Sequence, residues 1–257
     1  RRDPESPSTT RRNGMPDADG RDRSPTIRLF TQGMNPFAEK VAAALALKQL
    51  AFERVVSDDP EDVARWSPIA RTLPVLEIDG RRRADSNAII DWLDERYPEP
   101  TLFSRDPRTA AAQRQLADWS DSSFVWYWNR WRAARYPQPG DEAPVDESFL
   151  SRLRESLGRS LRITPRSRAD ARELEIIESL RDRMNDLEGF LGDRSFFHAE
   201  EPSVADLSVY AMLRVLREGP IPGSAQFIEE RPRLAAYLDR MEGRIQPHEV
   251  QAQPPSA

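Results

Sequence analysis

The chain contains no cysteine and only two histidines, His198 and His248. The lack of cysteine excludes disulfide bonds, thiolate metal sites and a cysteine nucleophile. The two histidines lie far apart in the sequence and do not have the spacing of metal ligands. We therefore predict no metal site, and we do not expect a serine–histidine catalytic triad.

Long apolar runs are also absent, since no segment approaches the roughly 18 consecutive apolar residues of a membrane helix. Hydrophobic residues make up 38 % of the chain and charged residues 32 %, with a mean hydropathy of -0.71. This composition is polar for a compact globule, so part of the chain is expected to be unburied. Since no signal segment is evident either, we expect a cytoplasmic protein without a membrane partner.

Lysine is scarce, because Lys40 and Lys48 are the only lysines among 38 basic residues. The arginines are scattered among 43 acidic residues, and the formal net charge is -5. A nucleic-acid-binding protein concentrates positive charge on one surface. We therefore predict no nucleic-acid partner, and we interpret the basic run 81–83 as a solvated hairpin strand.

The first half of the chain alternates between strand and helix patterns. Asn35 and Pro36 suit the N-cap and first position of a helix, and Asp79-Gly80 is a strong hairpin turn. Residues 58–71 are polar, broken by prolines and predicted to be irregular. The predicted order is strand 27–30, helix 35–48, strand 52–56, strand 73–78, strand 81–84 and helix 86–97.

The second half has helical periodicity after a proline-rich linker. Helices are predicted over 109–135, 149–161, 170–191, 203–216 and 232–241. The fold class is therefore α/β followed by all-α. We predict a disordered tail over 1–25, an α/β domain over 26–97, a linker over 98–108, a helical domain over 109–246 and a disordered tail over 247–257.

Four segments in this order resemble the glutathione transferase superfamily over about residues 27–245. They are 35–41 (NPFAEKV, as in the omega and tau classes), 73–76 (LPVL), 85–90 (DSNAII), and the pair 203–206 (SVAD) with 231–234 (RPRL). The resemblance implies a thioredoxin-like N-terminal domain that binds glutathione, followed by the all-helical domain. It also implies a homodimer.

The resemblance assigns glutathione-binding roles to Asp85, Ser86, Leu73 and Pro74. Asp85 would pair with the γ-glutamyl ammonium, and Ser86, at a helix start, would bind a carboxylate. Leu73, before a cis proline, would pair with the cysteinyl backbone. The alternatives are an ordinary helix cap at 85–86 and an ordinary strand-starting proline. Arg71 or Gln49 could reach the glycyl carboxylate.

Asn35 stands where the omega class has a cysteine and the tau class a serine. Without any protein thiol, transfer through a mixed disulfide is excluded. An Asn amide can donate a hydrogen bond to the glutathione thiolate near the helix N-terminus, so Asn35 is the catalytic candidate. The alternative is that Asn35 only caps the helix.

Aromatic residues crowd the first helix of the second domain, on two faces. In the family this helix lines the pocket of the hydrophobic co-substrate, for which Trp126 or Tyr127 is the candidate; core or interface packing is the alternative. We expect a transferase or lyase that uses glutathione as co-substrate on a small hydrophobic electrophile. A non-catalytic binding or protein-interaction module, supported by Asn35 and the long charged loop 137–172, is the second hypothesis.

Overall fold

A computed structural model describes residues 25–136, 168–245 and 249–250. In these ranges the chain forms a mixed sheet with three helices, followed by a helical domain. The predicted fold class, α/β followed by all-α, is confirmed. The predicted helix 149–161, nearly all of the tail 1–25 and most of the loop 137–172 lie outside the described residues.

The sheet has the strand order β4-β3-β1-β2-β5. Its strands are β1 (Ile27–Thr31), β2 (Phe52–Val56), β3 (Val75–Ile78), β4 (Arg81–Ala84) and β5 (Glu249–Val250). β1 is parallel to β2 and antiparallel to β3, and β4 returns antiparallel on β3 through the predicted Asp79-Gly80 turn. β1 therefore lies at the centre of the sheet, between β3 and β2.

β5 corrects the expectation of a disordered tail over 247–257. Glu249 and Val250 pair in parallel with Phe52 and Glu53 of β2. β2 would otherwise be an edge strand with unpaired backbone groups, and a short passing segment can satisfy them. A two-residue strand has too few side chains to show a periodic pattern in the sequence.

Three helices cover the sheet: α1 (Pro36–Leu47), α2 (Pro60–Trp66) and α3 (Ser86–Arg96). α2 corrects the prediction of an irregular stretch: Asp59 accepts a hydrogen bond from the Glu61 backbone nitrogen, and Pro60 is the first helical residue. Trp66 of α2 packs on Phe30, with ring centroids 4.9 Å apart. α1 and α3 pack together on the opposite face.

The helical domain contains α4 (Pro107–Arg135), α5 (Arg168–Leu191), α6 (Val204–Glu218), α7 (Ser224–Glu229) and α8 (Pro232–Arg244). α6 is the central helix and packs against both α4 and α1. The capping box predicted at its start is present, since Asp206 Oδ2 accepts from the Ser203 backbone nitrogen at 2.9 Å. α7 was not predicted, because six residues are too short for helical periodicity to show.

α1 joins the two domains, and residues 38–46 are all buried. A helix that is buried all round must pack on two neighbours, here the sheet and α6. Lys48, just after α1, holds the interdomain linker, since its Nζ donates to Asp94 Oδ1 at 2.9 Å and to the Pro100 carbonyl at 2.8 Å. The orientation of the domains is therefore fixed by buried contacts.

Every helix in the described ranges is too short or too polar to span a bilayer. The same ranges hold no group of three or more histidine, aspartate or glutamate side chains arranged to bind a metal ion.

Candidate functional site

A cavity of about 770 Å³ lies between the sheet domain and α4. The sheet domain contributes three short segments to its wall: the start of α1, the residues before β3 and the start of α3. The α4 wall consists of two residues from each of three successive turns. The lining residues are Phe37, Thr72, Leu73, Pro74, Asp85, Ser86 and Asn87 on one side, and Asp121, Ser122, Val125, Trp126, Asn129 and Arg130 on the other.

Asp85 and Ser86 form the start of α3 at the cavity wall. Asp85 has a positive φ of 72°, and its Oδ1 accepts from the Ala88 backbone nitrogen at 2.9 Å. This conformation is unfavourable for a residue with a side chain, and such strain is concentrated at functional sites. Ser86 is 7 % exposed, and its hydroxyl has no hydrogen-bonding partner within the described residues. The pair offers a carboxylate, a free hydroxyl and a helix N-terminus to a ligand.

Leu73 and Pro74 line the same cavity immediately before β3. The peptide bond between them is cis. Thus the four residues predicted to bind glutathione converge on one cavity, although they come from separate segments of the chain.

Asn35 caps α1, and its Oδ1 accepts from the Phe37 backbone nitrogen at 2.9 Å. Its Nδ2 amide has no partner in the described part of the chain, so the side chain retains a donor while it caps the helix. The two roles left open by the sequence are therefore compatible. Asn35 does not itself line the cavity, which α1 borders through Phe37.

Of the two aromatic residues predicted to line the co-substrate pocket, only Trp126 does so. Trp126 is 48 % exposed and lines the cavity, whereas Tyr127 is 6 % exposed and its hydroxyl donates to the Ser179 carbonyl at 3.3 Å. Tyr127 is therefore a core residue on the α5 side and not part of this cavity. Trp119, on the same helix, packs edge-on against Phe190.

A buried charge network lies beneath the cavity. Lys40 of α1 is fully buried, and its Nζ donates to Asp121 Oδ2 at 2.9 Å and to Asn87 Oδ1 at 2.5 Å. Burial raises the pKa of the Asp121 carboxyl above its ordinary value, and the neighbouring Lys40 charge works in the opposite direction. The network fixes the positions of α3 and α4, and therefore of both cavity walls.

Sequence reasoning missed the polar part of the α4 wall. Asp121, Trp126, Asn129 and Arg130 lie at i, i+5, i+8 and i+9 and line the same side of α4. The spacing is visible in the sequence, but the sequence does not show which face of α4 meets the sheet domain. Of the two residues suggested for the glycyl carboxylate, Gln49 lines a separate cavity beside the linker, and exposed Arg71 directly precedes the lining residue Thr72.

Comparison with known proteins identifies both domains. Residues 29–101 match the family model of the glutathione S-transferase N-terminal domain, and residues 180–241 match that of the C-terminal domain. The two matched ranges together cover slightly more than half of the chain.

Two curated proteins are similar to part of the chain. The chain is 34 % identical over 100 residues to maleylacetoacetate isomerase of Pseudomonas aeruginosa, an alignment that covers 35 % of this chain and 47 % of that protein. It is 39 % identical over 70 residues to glutathione S-transferase DHAR2 of Arabidopsis thaliana, covering 26 % of this chain and 32 % of that protein. The chain thus spans about half or less of the length of these curated relatives.

A solved structure matches over nearly the whole length. The glutathione S-transferase of Methylobacterium radiotolerans, in complex with glutathione sulfonate, is 26 % identical with a TM-score of 0.58. The superposition covers 90 % of this chain and 98 % of that chain.

Proposed function

The chain belongs to the glutathione S-transferase superfamily, and on that premise we propose that it binds glutathione in the cavity and transfers it to a small hydrophobic electrophile. The observation that carries this proposal is the convergence of Leu73, Pro74, Asp85 and Ser86 on one cavity. The glutathione sulfonate complex of the Methylobacterium radiotolerans protein supports the same ligand.

The polar groups of the γ-glutamyl residue and the cysteinyl backbone of glutathione each have a matching group in the wall. The Asp85 carboxylate pairs with the γ-glutamyl ammonium, and the Ser86 hydroxyl and the α3 N-terminus bind the γ-glutamyl carboxylate. The Leu73 backbone pairs with the cysteinyl backbone as a strand edge would. In this assignment the Ser86 hydroxyl, which has no hydrogen-bonding partner within the described residues, gains one.

In this proposal Asn35 activates the glutathione thiol. Its free Nδ2 amide donates to the sulfur, and the N-terminus of α1 adds partial positive charge, so the thiolate is favoured over the thiol. An amide cannot accept a proton, so the thiol proton passes to solvent. The thiolate sulfur then attacks the electrophilic carbon, and the electron pair of the broken bond leaves with the displaced group or remains on the substrate.

The second candidate function is a glutathione-transferase-like module that binds without catalysis. It is favoured by the same residue, because Asn35 is a weaker activator than the cysteine or serine of the omega and tau classes. The two candidates differ in the state of bound glutathione, which is a thiolate in the enzyme and a thiol in the binding module.

We also propose a homodimer, which the family resemblance supports, and a cytoplasmic location. Light scattering coupled to size-exclusion chromatography measures the mass directly. A dimer gives twice the chain mass of 29.4 kDa, and a single-chain mass overturns this part of the proposal.

Calorimetric titration of glutathione tests the binding site. We expect the wild-type protein to bind, and Ser86→Ala to weaken binding by about tenfold or more, because the mutation removes a hydrogen bond to a charged group. Ser195→Ala is the matched control, since Ser195 is exposed and lies outside the cavity. The proposal would be overturned if the wild-type protein did not bind glutathione. If Ser86→Ala and Ser195→Ala lost the same amount of glutathione affinity, Ser86 would not be part of the site.

A further inference from the structure

The α4 wall of the cavity carries a cation, Arg130, that has no carboxylate partner among the described side chains. Arg130 lines the cavity and is exposed, and no carboxylate among the side chains described over 25–136 and 171–245 forms an ion pair with it. Its guanidinium carbon lies 4.5 Å from the centre of the Trp126 ring. The guanidinium is thus held at the cavity by an aromatic ring, and within the described residues its donors have no hydrogen-bond acceptor.

The other charges of the cavity are accounted for. Asp121 is paired with Lys40 at 2.9 Å. Asp85 caps α3 and, in the proposed function, faces the ammonium of glutathione. Arg130 lies nine residues beyond Asp121 on the same helix, about 13 Å along its axis. The cation therefore lies at the opposite end of the α4 wall from the buried ion pair.

The middle turn of this wall is apolar. Val125 and Trp126 are 39 % and 48 % exposed, which is unusual for such large side chains on a helix that packs against two others. A partly exposed indole beside a guanidinium that has no carboxylate partner among the described side chains suits a flat, conjugated molecule with an acidic substituent. The ring stacks on apolar surface, and the carboxylate takes two parallel hydrogen bonds from Arg130.

We propose that the co-substrate pocket selects a planar electrophile that carries a carboxylate, with Arg130 as the residue that binds the acid group and Trp126 as the surface that binds the ring. This inference rests on the proposed function for the reaction, but the recognition of the acid is a separate property of the α4 wall. It specifies the substrate class more narrowly than a small hydrophobic electrophile does.

The test is a binding measurement with two unreactive probes of nearly the same shape, 3-nitrobenzoate and 3-nitrobenzamide. Each is titrated calorimetrically into the full chain, with and without saturating glutathione. We expect the wild-type protein to bind the benzoate about tenfold more tightly than the amide, as a charge-assisted hydrogen bond at an exposed site would give. Arg130→Gln should remove this preference and leave the affinity for the amide within about twofold.

Arg132→Gln is the matched control, because Arg132 is exposed on the same helix but lies outside the cavity. It removes the same charge and should leave the preference for benzoate intact. If Arg132→Gln weakens benzoate binding as much as Arg130→Gln does, the effect is one of net charge and the proposal is wrong. Equal affinity of the wild-type protein for both probes would also overturn it.

Glutathione binding separates this inference from the proposed function. If Arg130→Gln weakens glutathione binding as strongly as benzoate binding, Arg130 belongs to the glutathione site and the inference fails. If the wild-type protein binds benzoate selectively but does not bind glutathione, the acid-binding wall stands and the proposed function fails. A Trp126→Leu variant that weakens both nitro probes equally would support the stacking role of the indole.

Discussion

Asn35 illustrates how one side chain can combine a structural and a chemical role. Its two polar atoms differ in kind, since Oδ1 accepts from the Phe37 backbone nitrogen while Nδ2 can only donate. A serine at this position would use one hydroxyl oxygen for both tasks. The amide divides them between two atoms, so the cap and the donor can be tested separately.

Substitutions at Asn35 should therefore affect stability in a defined order. Asn35→Ala removes the cap and should lower the free energy of unfolding by about 1 kcal/mol. Asn35→Asp keeps an acceptor at the N-cap and should stay within about 0.5 kcal/mol of the wild type. Urea unfolding monitored by circular dichroism measures both values. Equal destabilisation by the two variants would show that the cap does not contribute.

Asp206 makes the stability of the fold depend on pH. Burial raises the pKa of its carboxyl to about 6 from an ordinary value of 3.8, against hydrogen bonds from Phe197 and Ser203 that lower it. Between pH 3.8 and 6 the folded state binds more protons than the unfolded state, so this group's contribution to stability falls as pH rises through that window.

The comparison with Asp206→Asn isolates this effect, because all other groups titrate alike in both proteins. The stability advantage of the wild type over the variant should be about 2 kcal/mol larger at pH 4.5 than at pH 7. Urea unfolding at the two pH values provides the measurement. An advantage that is constant, or that grows with pH, would contradict a raised pKa.

At the scale of elements, α1, α3 and α4 are joined by a charged group that solvent does not reach. Lys40 is fully buried, and Asp121 is its ion-pair partner at 2.9 Å. Breaking a buried pair leaves an uncompensated charge, so Lys40→Met should destabilise the protein by about 3 to 5 kcal/mol. Adding Asp121→Asn should recover part of that loss, which a double-mutant cycle measures.

The exposed pair of Arg114 and Asp91 is the control for this cycle. It also joins α4 to α3 at 2.9 Å, but both side chains are about half exposed. Arg114→Gln should cost less than about 1 kcal/mol because solvent screens the pair. Similar losses for Lys40→Met and Arg114→Gln would mean that burial does not amplify the interaction.

The same elements show which parts of the site could be predicted from the sequence. Asn35-Pro36 and Asp85-Ser86 act locally, as caps within three residues of their partners, so their positions follow from short sequence patterns. Arg130 could not be predicted, because its role depends on which face of α4 meets α1 and α3. The prediction of Tyr127 as a pocket residue failed for the same reason. One position along a helix turns a side chain by about 100°, so Tyr127 faces the core while Trp126 faces the cavity.

At the scale of the molecule, the two domains share one core. Residues 38–46 of α1 are buried between the sheet and α6, and Lys48 joins the end of α1 to the linker at Pro100. The fold class was predictable because it depends on the order of elements. The contact of β5 with β2 and the packing of α1 on α6 were not, since they join segments about 160 or more residues apart.

The shared core predicts that the domains unfold together. Urea unfolding should give a single transition with the same midpoint by tryptophan fluorescence and by far-ultraviolet circular dichroism. A fragment of residues 26–97 should remain unfolded, because separation exposes the apolar face that α1 turns toward α6. Two resolved transitions, or a folded fragment, would show that the domains are independent.

The central claim is that the cavity holds glutathione as a thiolate, and the most direct test is the ionisation of bound glutathione followed by its ultraviolet absorbance. We predict that the wild-type protein lowers the pKa of the bound thiol by one unit or more from about 8.5. Asn35→Asp, which keeps the cap but replaces the donor with a negative charge, should return the pKa to 8.5 or above. A bound thiol with the same unshifted pKa in both proteins would contradict the claim and identify the chain as a binding module.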